Sequence, residues 1–149
     1  MSPRPALLIS ACLLGRDCKY DGGNNALPAE RIAALAEHYR LVPVCPESDG
    51  GLPTPRTPSE RRGSAVIARD GRDVTEAFRR GAALALETAR AEDCRLALLK
   101  ERSPSCGSGR IYDGSFSGVL IPGDGVTAEL LRAGGLALYG ESAAEELLR

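Results

Sequence analysis

Short apolar runs alternate along the chain with longer segments in which apolar residues recur every three or four positions. The runs predict strands at 6–10, 41–45, 95–100 and 136–139, with a shorter one within 64–71. The periodic segments predict helices at 28–39, 74–93, 127–134 and 141–149. This alternation indicates an α/β fold, since apolar strands joined by helices form a mostly parallel central sheet with helices on both faces. No linker divides residues 1–149, so we expect a single domain.

Two segments of a different character follow two of the predicted strands. Residues 46–60 hold four prolines and two glycines and are predicted to lack regular structure. Residues 101–118 are predicted to be a loop with a small extended piece around Ile111 and Phe116. Ligands of such sheets bind beyond the carboxyl ends of the strands, which makes these two segments the candidate binding region.

Composition then narrows the class of partner. The 149 residues are 43% hydrophobic and 26% charged, and the net charge is −1. A net charge this close to zero gives no sign of the excess positive charge by which proteins bind nucleic acid or an anionic membrane surface. The longest apolar runs are too short to span a bilayer, and "MSPRPALLIS" lacks the apolar core of a signal peptide. We therefore expect a cytoplasmic protein in a reducing compartment.

Three of the five cysteines follow ends of predicted strands. Cys12 and Cys106 come after the first and third main strands and Cys45 ends the second, so the fold places them at one edge of the sheet. Their separations of 33 and 61 residues match no zinc-ribbon or ferredoxin spacing. Three thiolates indicate a metal centre in which one coordination position is not filled by a cysteine. Zinc with a fourth ligand and a [4Fe-4S] cluster both satisfy this pattern, and spacing alone does not choose between them.

The remaining candidate ligands are less well placed. Cys94 lies at a helix end without a polar loop and is expected to be structural. Cys18 shares the loop of Cys12, and three roles stay open for it: a fourth ligand, a thiol beside the ligands, or a packing residue. His38, the only histidine, lies within the first predicted helix and is expected to be a surface or packing residue.

Two polar residues stand close to these cysteines in sequence. Glu47 follows Cys45 by two positions, which would put a carboxylate beside the metal, although a solvated loop carboxylate or a helix-cap partner fits the same spacing. Ser103 precedes Cys106 by three positions, where a serine also commonly bonds to the backbone of its own turn.

Four motifs, taken together, resemble a known bacterial family. They are "SACLLGRDCKYDGG", "VPVCPESDGGLPTPR", "DVTEAFRRGA" and "LKERSPSCGSGRIYDGSFSG", and they cover nearly the whole chain in order. The chain is similar in these motifs to a domain-of-unknown-function family that includes thiouracil desulfidase.

The resemblance implies an enzyme that removes sulfur from a thiocarbonyl such as 2-thiouracil, with a small thiolated heterocycle as substrate. It implies a [4Fe-4S] cluster held by Cys12, Cys45 and Cys106, with Glu47 and Ser103 assisting catalysis. The soft sulfur atom would bind the open iron, and the reaction would release hydrosulfide without electron transfer.

Two other functions are compatible with parts of the sequence. One is a thiol-based redox protein in which Cys12 and Cys18 form a reversible disulfide. The other is a module without catalysis that binds a small anion through its glycine loops. Neither explains why three separate strand ends carry cysteine.

Overall fold

The central sheet of the computed structural model, which describes residues 4–149, is built from parallel strands that are apolar on both faces. The strands of the described chain are β1 (Ala6–Ser10), β2 (Arg40–Val44), β3 (Ser59–Arg62), β4 (Ala65–Ala68), β5 (Leu96–Leu99), β6 (Arg110–Tyr112), β7 (Leu120–Pro122) and β8 (Ala137–Gly140). The central sheet has the order β2-β1-β5-β8. The pairs β3–β4 and β6–β7 are separate antiparallel hairpins.

The helices connect and cover these strands. They are α1 (Ala29–His38), α2 (Pro46–Asp49), α3 (Thr75–Ala91) and α4 (Val126–Ala133), together with 3-10 helices at Ala11–Leu14 and Glu141–Leu148. The predicted α/β class and the main strands and helices are thus confirmed, with boundaries shifted by one or two residues.

Both faces of the sheet are buried, which explains why its strands read as continuous apolar runs. On one face Leu8 and Leu99 pack with Leu131 of α4 and with α3. On the other face Leu7 and Leu98 pack against α1 and the C-terminal 3-10 helix. The sheet is therefore a rigid platform whose strand ends position the loops that follow them.

The order of the strands reverses beside β1. From β1 the chain moves to β2 on one side, and it later returns to β5 and β8 on the other side. The crevice beyond β1 and β5 is thus a topological switch point, where open α/β sheets usually bind ligands. The first 3-10 helix follows β1 and the 101–109 loop follows β5 at this point.

Two details of the sequence-based expectation are wrong. Residues 46–60 contain the short helix α2 and the start of β3, because Pro46 is suited to a first helical turn and polar β3 pairs with β4. Phe116 is not extended: its φ is +58°, and the strand that pairs with Ile111 is β7. The C-terminal segment is helical, as predicted, and its helix is of the 3-10 type.

Among residues 4–149, no helix has both the length and the apolar character that crossing a membrane requires.

Candidate functional site

A cavity of about 460 Å³ lies at the carboxyl edge of the sheet. The segments that follow β1, β2 and β5 form its walls, and the β3 strand and the loop after β6 complete its rim. All three cysteines that follow strand ends line it, as do Glu47 and Ser103. The structure thus brings every predicted site residue to one space.

Each of these three thiols comes from a different element. Cys12 lies in the first 3-10 helix and is half-buried. Cys45 directly follows β2 and precedes α2, and Cys106 lies in the turn after β5; both are buried. The chain reaches the cavity at these positions because each parallel strand ends at the same edge.

The thiols influence one another, as expected for groups that face the same space. Burial raises the pKa of the Cys106 thiol to about 12, a nearby Ser10 hydroxyl opposes the rise, and charges at Glu47, Cys12 and Cys45 add to it. Burial also raises the pKa of Cys12, against a hydrogen bond with Asn25. Without a bound cation both thiols therefore hold their protons at neutral pH, and metal binding would have to displace them.

The thiols do not meet at a single point. Among residues 4–149, no group of three or more His, Cys, Asp or Glu side chains is arranged to hold one metal ion. His38, the only histidine that could supply a fourth ligand to zinc, is exposed on α1 and bonds through Nδ1 to the Ala34 carbonyl. A mononuclear zinc site is therefore disfavoured.

The other two cysteines, Cys94 and Cys18, lie in different places relative to the cavity. Cys94 is buried in the core beneath α3 and does not line the cavity, as predicted. Cys18 is buried, lines the cavity and packs with Cys45, whose Sγ lies 3.9 Å from the Cys18 carbonyl oxygen. Burial and the adjacent Cys45 thiol raise the pKa of Cys18. Its place is beside Cys45, which is compatible with each of the roles left open for it.

Glu47 is not a solvated loop carboxylate. Its side chain is 16% exposed and forms an ion pair with Arg56, which is 7% exposed. Arg56 Nε and Nη2 donate to the same carboxylate oxygen, Oε2, at 2.9 and 2.5 Å. Arg56 also donates to the Cys18 carbonyl, so it ties the α2 segment to the loop of Cys18. No donor within residues 4–149 bonds to the other oxygen of Glu47, Oε1.

Ser103 both bonds to the backbone of its own turn and lines the cavity, the two roles that its position in the sequence allows. Its Oγ accepts hydrogen bonds from the Ser105 and Cys106 N–H groups, at 3.1 and 3.0 Å, and it lines the cavity. Because both bonds use the oxygen as an acceptor, the hydroxyl hydrogen remains available to a ligand.

Two further residues, Ser10 and Asn25, contact the thiols and were not singled out from the sequence. Ser10 is buried at the end of β1, accepts from the Lys100 N–H and interacts with the Cys106 thiol. Asn25 follows the Gly22–Gly23 turn, lines the cavity and lies close enough to the Cys12 thiol to lower its pKa. A polar residue ending the apolar run "ALLIS" is the one sequence signal that could have identified Ser10.

Comparisons with known proteins identify a matching family and two similar proteins. The sequence profile of the 2-thiouracil desulfurase family matches residues 7–143. An uncharacterized protein of Bacillus subtilis (strain 168), YbbK, is 40% identical over 152 residues, which cover 95% of this chain and 99% of that protein. A solved structure described as [4Fe-4S]-dependent thiouracil desulfidase TudS is 48% identical, with a TM-score of 0.92 over 97% of this chain and 95% of that chain.

Proposed function

Because the chain belongs to the 2-thiouracil desulfurase family, we propose that it is a [4Fe-4S]-dependent enzyme. The substrate is a small heterocycle with a thiocarbonyl group, such as 2-thiouracil, and the products are the oxo compound and hydrosulfide. The observation that carries the proposal is the cavity at the switch point, where thiols from three strand ends, a shielded carboxylate and a serine hydroxyl face one space. The similar solved structure, TudS, is described as a [4Fe-4S]-dependent enzyme, which supports the choice of a [4Fe-4S] cluster as the cofactor.

Cys12, Cys45 and Cys106 are the proposed ligands of the cluster. Thiolate is the usual ligand of iron–sulfur clusters, and each thiolate binds a different iron. The three thiols are compatible with this requirement, because they line one cavity and no group of three His, Cys, Asp or Glu side chains among residues 4–149 is arranged to hold a single ion. When bound, a cluster with three protein ligands supplies an open iron that acts as a Lewis acid toward soft sulfur.

Glu47 is the proposed general base. The reaction adds water to the thiocarbonyl carbon, breaks the carbon–sulfur bond and forms a carbonyl group. The sulfur leaves with a proton as hydrosulfide or hydrogen sulfide, so no oxidant or reductant is consumed. Arg56 occupies Oε2 of Glu47, which leaves Oε1 to take the proton of the attacking water.

Ser103 is proposed to act beside this base. Two backbone N–H groups fix its oxygen, so its hydrogen points to whichever acceptor the cavity holds. The hydroxyl donates to the attacking water or to a nitrogen of the heterocycle, and so orients the reactants or relays a proton.

The test is anaerobic reconstitution followed by two measurements on one sample. We expect iron to bind and 2-thiouracil to be converted to uracil with one sulfide released per turnover. Cys45→Ala should lose iron and activity, whereas Cys94→Ala, the matched control, should keep iron near the wild-type content.

Iron loss in Cys94→Ala as large as in Cys45→Ala would contradict the ligand assignment. A reconstituted wild-type protein with little iron and a reversible two-electron thiol couple would instead support a redox function. An iron-loaded protein that leaves 2-thiouracil unchanged would contradict the proposed activity.

A further inference from the structure

Aromatic side chains are scarce in this chain and collect around the cavity. The sequence holds four tyrosines and two phenylalanines, and three of these six residues line the cavity: Tyr20, Tyr112 and Phe116. The remaining phenylalanine, Phe78, is fully buried in the core. Aromatic faces stack on flat unsaturated rings, so their concentration here is informative about the ligand.

Phe116 is held in a backbone conformation that such a residue rarely adopts. Its φ of +58° is in the left-handed region, which costs on the order of 1–3 kcal/mol for a residue with a bulky side chain. Surrounding contacts must therefore impose it. Strain of this kind is commonly found at ligand-binding positions.

Those contacts come from the β3 strand. Glu60 Oε1 accepts from the N–H groups of Gly114 and Phe116, at 3.0 and 3.1 Å. Arg62 Nε donates to the Gly114 carbonyl at 2.7 Å. One carboxylate and one guanidinium thus fix the turn that carries Phe116 to the rim of the cavity.

The Phe116 ring is supported but not enclosed. The Arg69 guanidinium lies 5.7 Å from the ring centroid, within the range of a cation–π contact. The side chain is only partly buried and lines the cavity, so part of its surface is open to a ligand.

We infer that Phe116 determines substrate specificity by stacking on the planar ring of the thiocarbonyl substrate. The residue thus selects flat heterocycles over acyclic compounds with the same thiocarbonyl group. This inference rests on the proposed function and adds to it the residue that recognises the ring. Glu60 is the positioning residue that holds Phe116 in place.

The test compares a ring substrate with an acyclic one on anaerobically reconstituted protein. We expect Phe116→Ala to lower kcat/KM for 2-thiouracil by roughly 10- to 100-fold, mainly through KM, the usual worth of one base–aromatic contact. Turnover of thiourea should change by less than about twofold, because it has no ring to stack. Phe116→Tyr should retain the wild-type preference. The matched control is Val119→Ala, an exposed residue of the same loop that does not line the cavity.

Equilibrium dialysis of uracil provides a second readout that does not depend on turnover. The Kd of uracil should rise by a similar factor in Phe116→Ala and stay near the wild-type value in the Tyr and Val119 variants. Unchanged uracil binding, or an equal loss of activity toward both substrates, would overturn the inference. If the wild-type protein converts neither compound, the proposed function fails, while the dialysis result still decides whether Phe116 binds the ring.

Discussion

Arg56 shows how one residue fixes the chemistry of another. It is almost completely buried, and its guanidinium donates to Glu47, to the Cys18 carbonyl and to groups of its own loop. A buried cation without a partner is costly, so Glu47 both balances this charge and is held by it. The proposed base therefore has one oxygen fixed by Arg56 and the other free.

Replacing Glu47 with glutamine separates catalysis from cofactor binding. Glutamine keeps the size of the side chain but cannot accept a proton at neutral pH. We expect iron per chain to remain at the wild-type level, while single-turnover desulfuration of 2-thiouracil falls by roughly 10²–10⁴-fold. The unfolding temperature should also fall, because Arg56 loses its buried counter-ion.

Glu37→Gln, an exposed change on α1, is the control for this experiment and should alter none of the three quantities: iron per chain, desulfuration or unfolding temperature. Full activity of the Glu47 variant with a full complement of iron would remove Glu47 from the mechanism. Ser103 would then be the remaining candidate among the residues assigned to the reaction.

For individual residues, the sequence predicts a place in the candidate site only for those that lie within its recognisable motifs. Glu47 and Ser103 are identifiable as candidates because each lies within three residues of a proposed ligand cysteine in a recognisable motif. The ion pair between Glu47 and Arg56 cannot be identified from the sequence. The proline-rich segment between these two residues follows a path that depends on tertiary contacts. The orientation of Phe116 also escapes prediction, because Glu60, which imposes it, lies in a distant hairpin.

Among the elements, α2 and α3 approach each other unusually closely. A Cβ atom added to Gly81 in α3 would lie 1.9 Å from the Pro46 carbonyl oxygen, and one added to Gly50 would lie 2.1 Å from the Ala77 carbonyl oxygen. A glycine inside a helix costs about 1 kcal/mol relative to alanine, so this close contact explains its presence in α3. Pro46 directly follows Cys45, so α3 supports the position of that thiol.

Gly81→Ala should therefore disturb the site from a distance. We expect the free energy of unfolding to fall by about 1–3 kcal/mol, as for other overpacked sites, even though alanine favours helix. Iron per chain after reconstitution should fall as well, because displacing Pro46 moves Cys45. Urea unfolding and iron analysis measure the two effects.

Ala83→Ser is the control for Gly81→Ala, since Ala83 is exposed on the same helix and a small polar change there costs only a few tenths of a kcal/mol. A Gly81→Ala protein with wild-type stability and iron content would show that α2 can move without affecting the site.

Strong apolar periodicity explains which elements are predictable. The central strands and α1, α3 and α4 bury one or both faces, so their composition reveals them. β3 reads "SERR" and lies between a proline and a glycine; only its pairing with β4 makes it a strand. The C-terminal segment has the apolar spacing of a helix, and that spacing does not distinguish a 3-10 helix from an α-helix.

At the scale of the whole molecule, Asp124 joins parts of the chain that are far apart in sequence. Its Oδ1 accepts from the Gly109 N–H at 2.8 Å and its Oδ2 from Arg132 Nε at 2.9 Å, while its carbonyl accepts from Arg61. Burial alone would raise the pKa of Asp124, but these bonds and the charges of Arg132 and Arg61 outweigh burial and lower it.

Stability should therefore depend on pH through Asp124. The pKa of this carboxyl is lower in the folded state than the value of about 3.9 expected when unfolded. Its contribution is thus fully present above about pH 4 and is lost as the pH falls through the folded pKa. We expect Asp124→Asn to be less stable than wild type at pH 7, with a difference that shrinks below pH 4.

Urea unfolding at both pH values measures this difference. Asp93→Asn is the control, since Asp93 is 86% exposed in its ion pair with Arg95, and it should match wild type at both values. A difference between Asp124→Asn and wild type that grows on acidification would contradict the assigned direction of the pKa.

The order of the three cavity thiols along the chain constrains when iron can be delivered. Cys12 and Cys45 follow β1 and β2, but Cys106 follows β5, which reaches its place beside β1 only after the hairpin and α3 have been synthesised. Pairing between parallel strands this distant in sequence is slow to form. A nascent chain that ends before residue 106 can present two of the thiols but never all three. An iron–sulfur donor that uses all three proposed ligands must therefore act after residue 106 has been synthesised and β5 has joined β1, and it must enter through the open rim of the cavity.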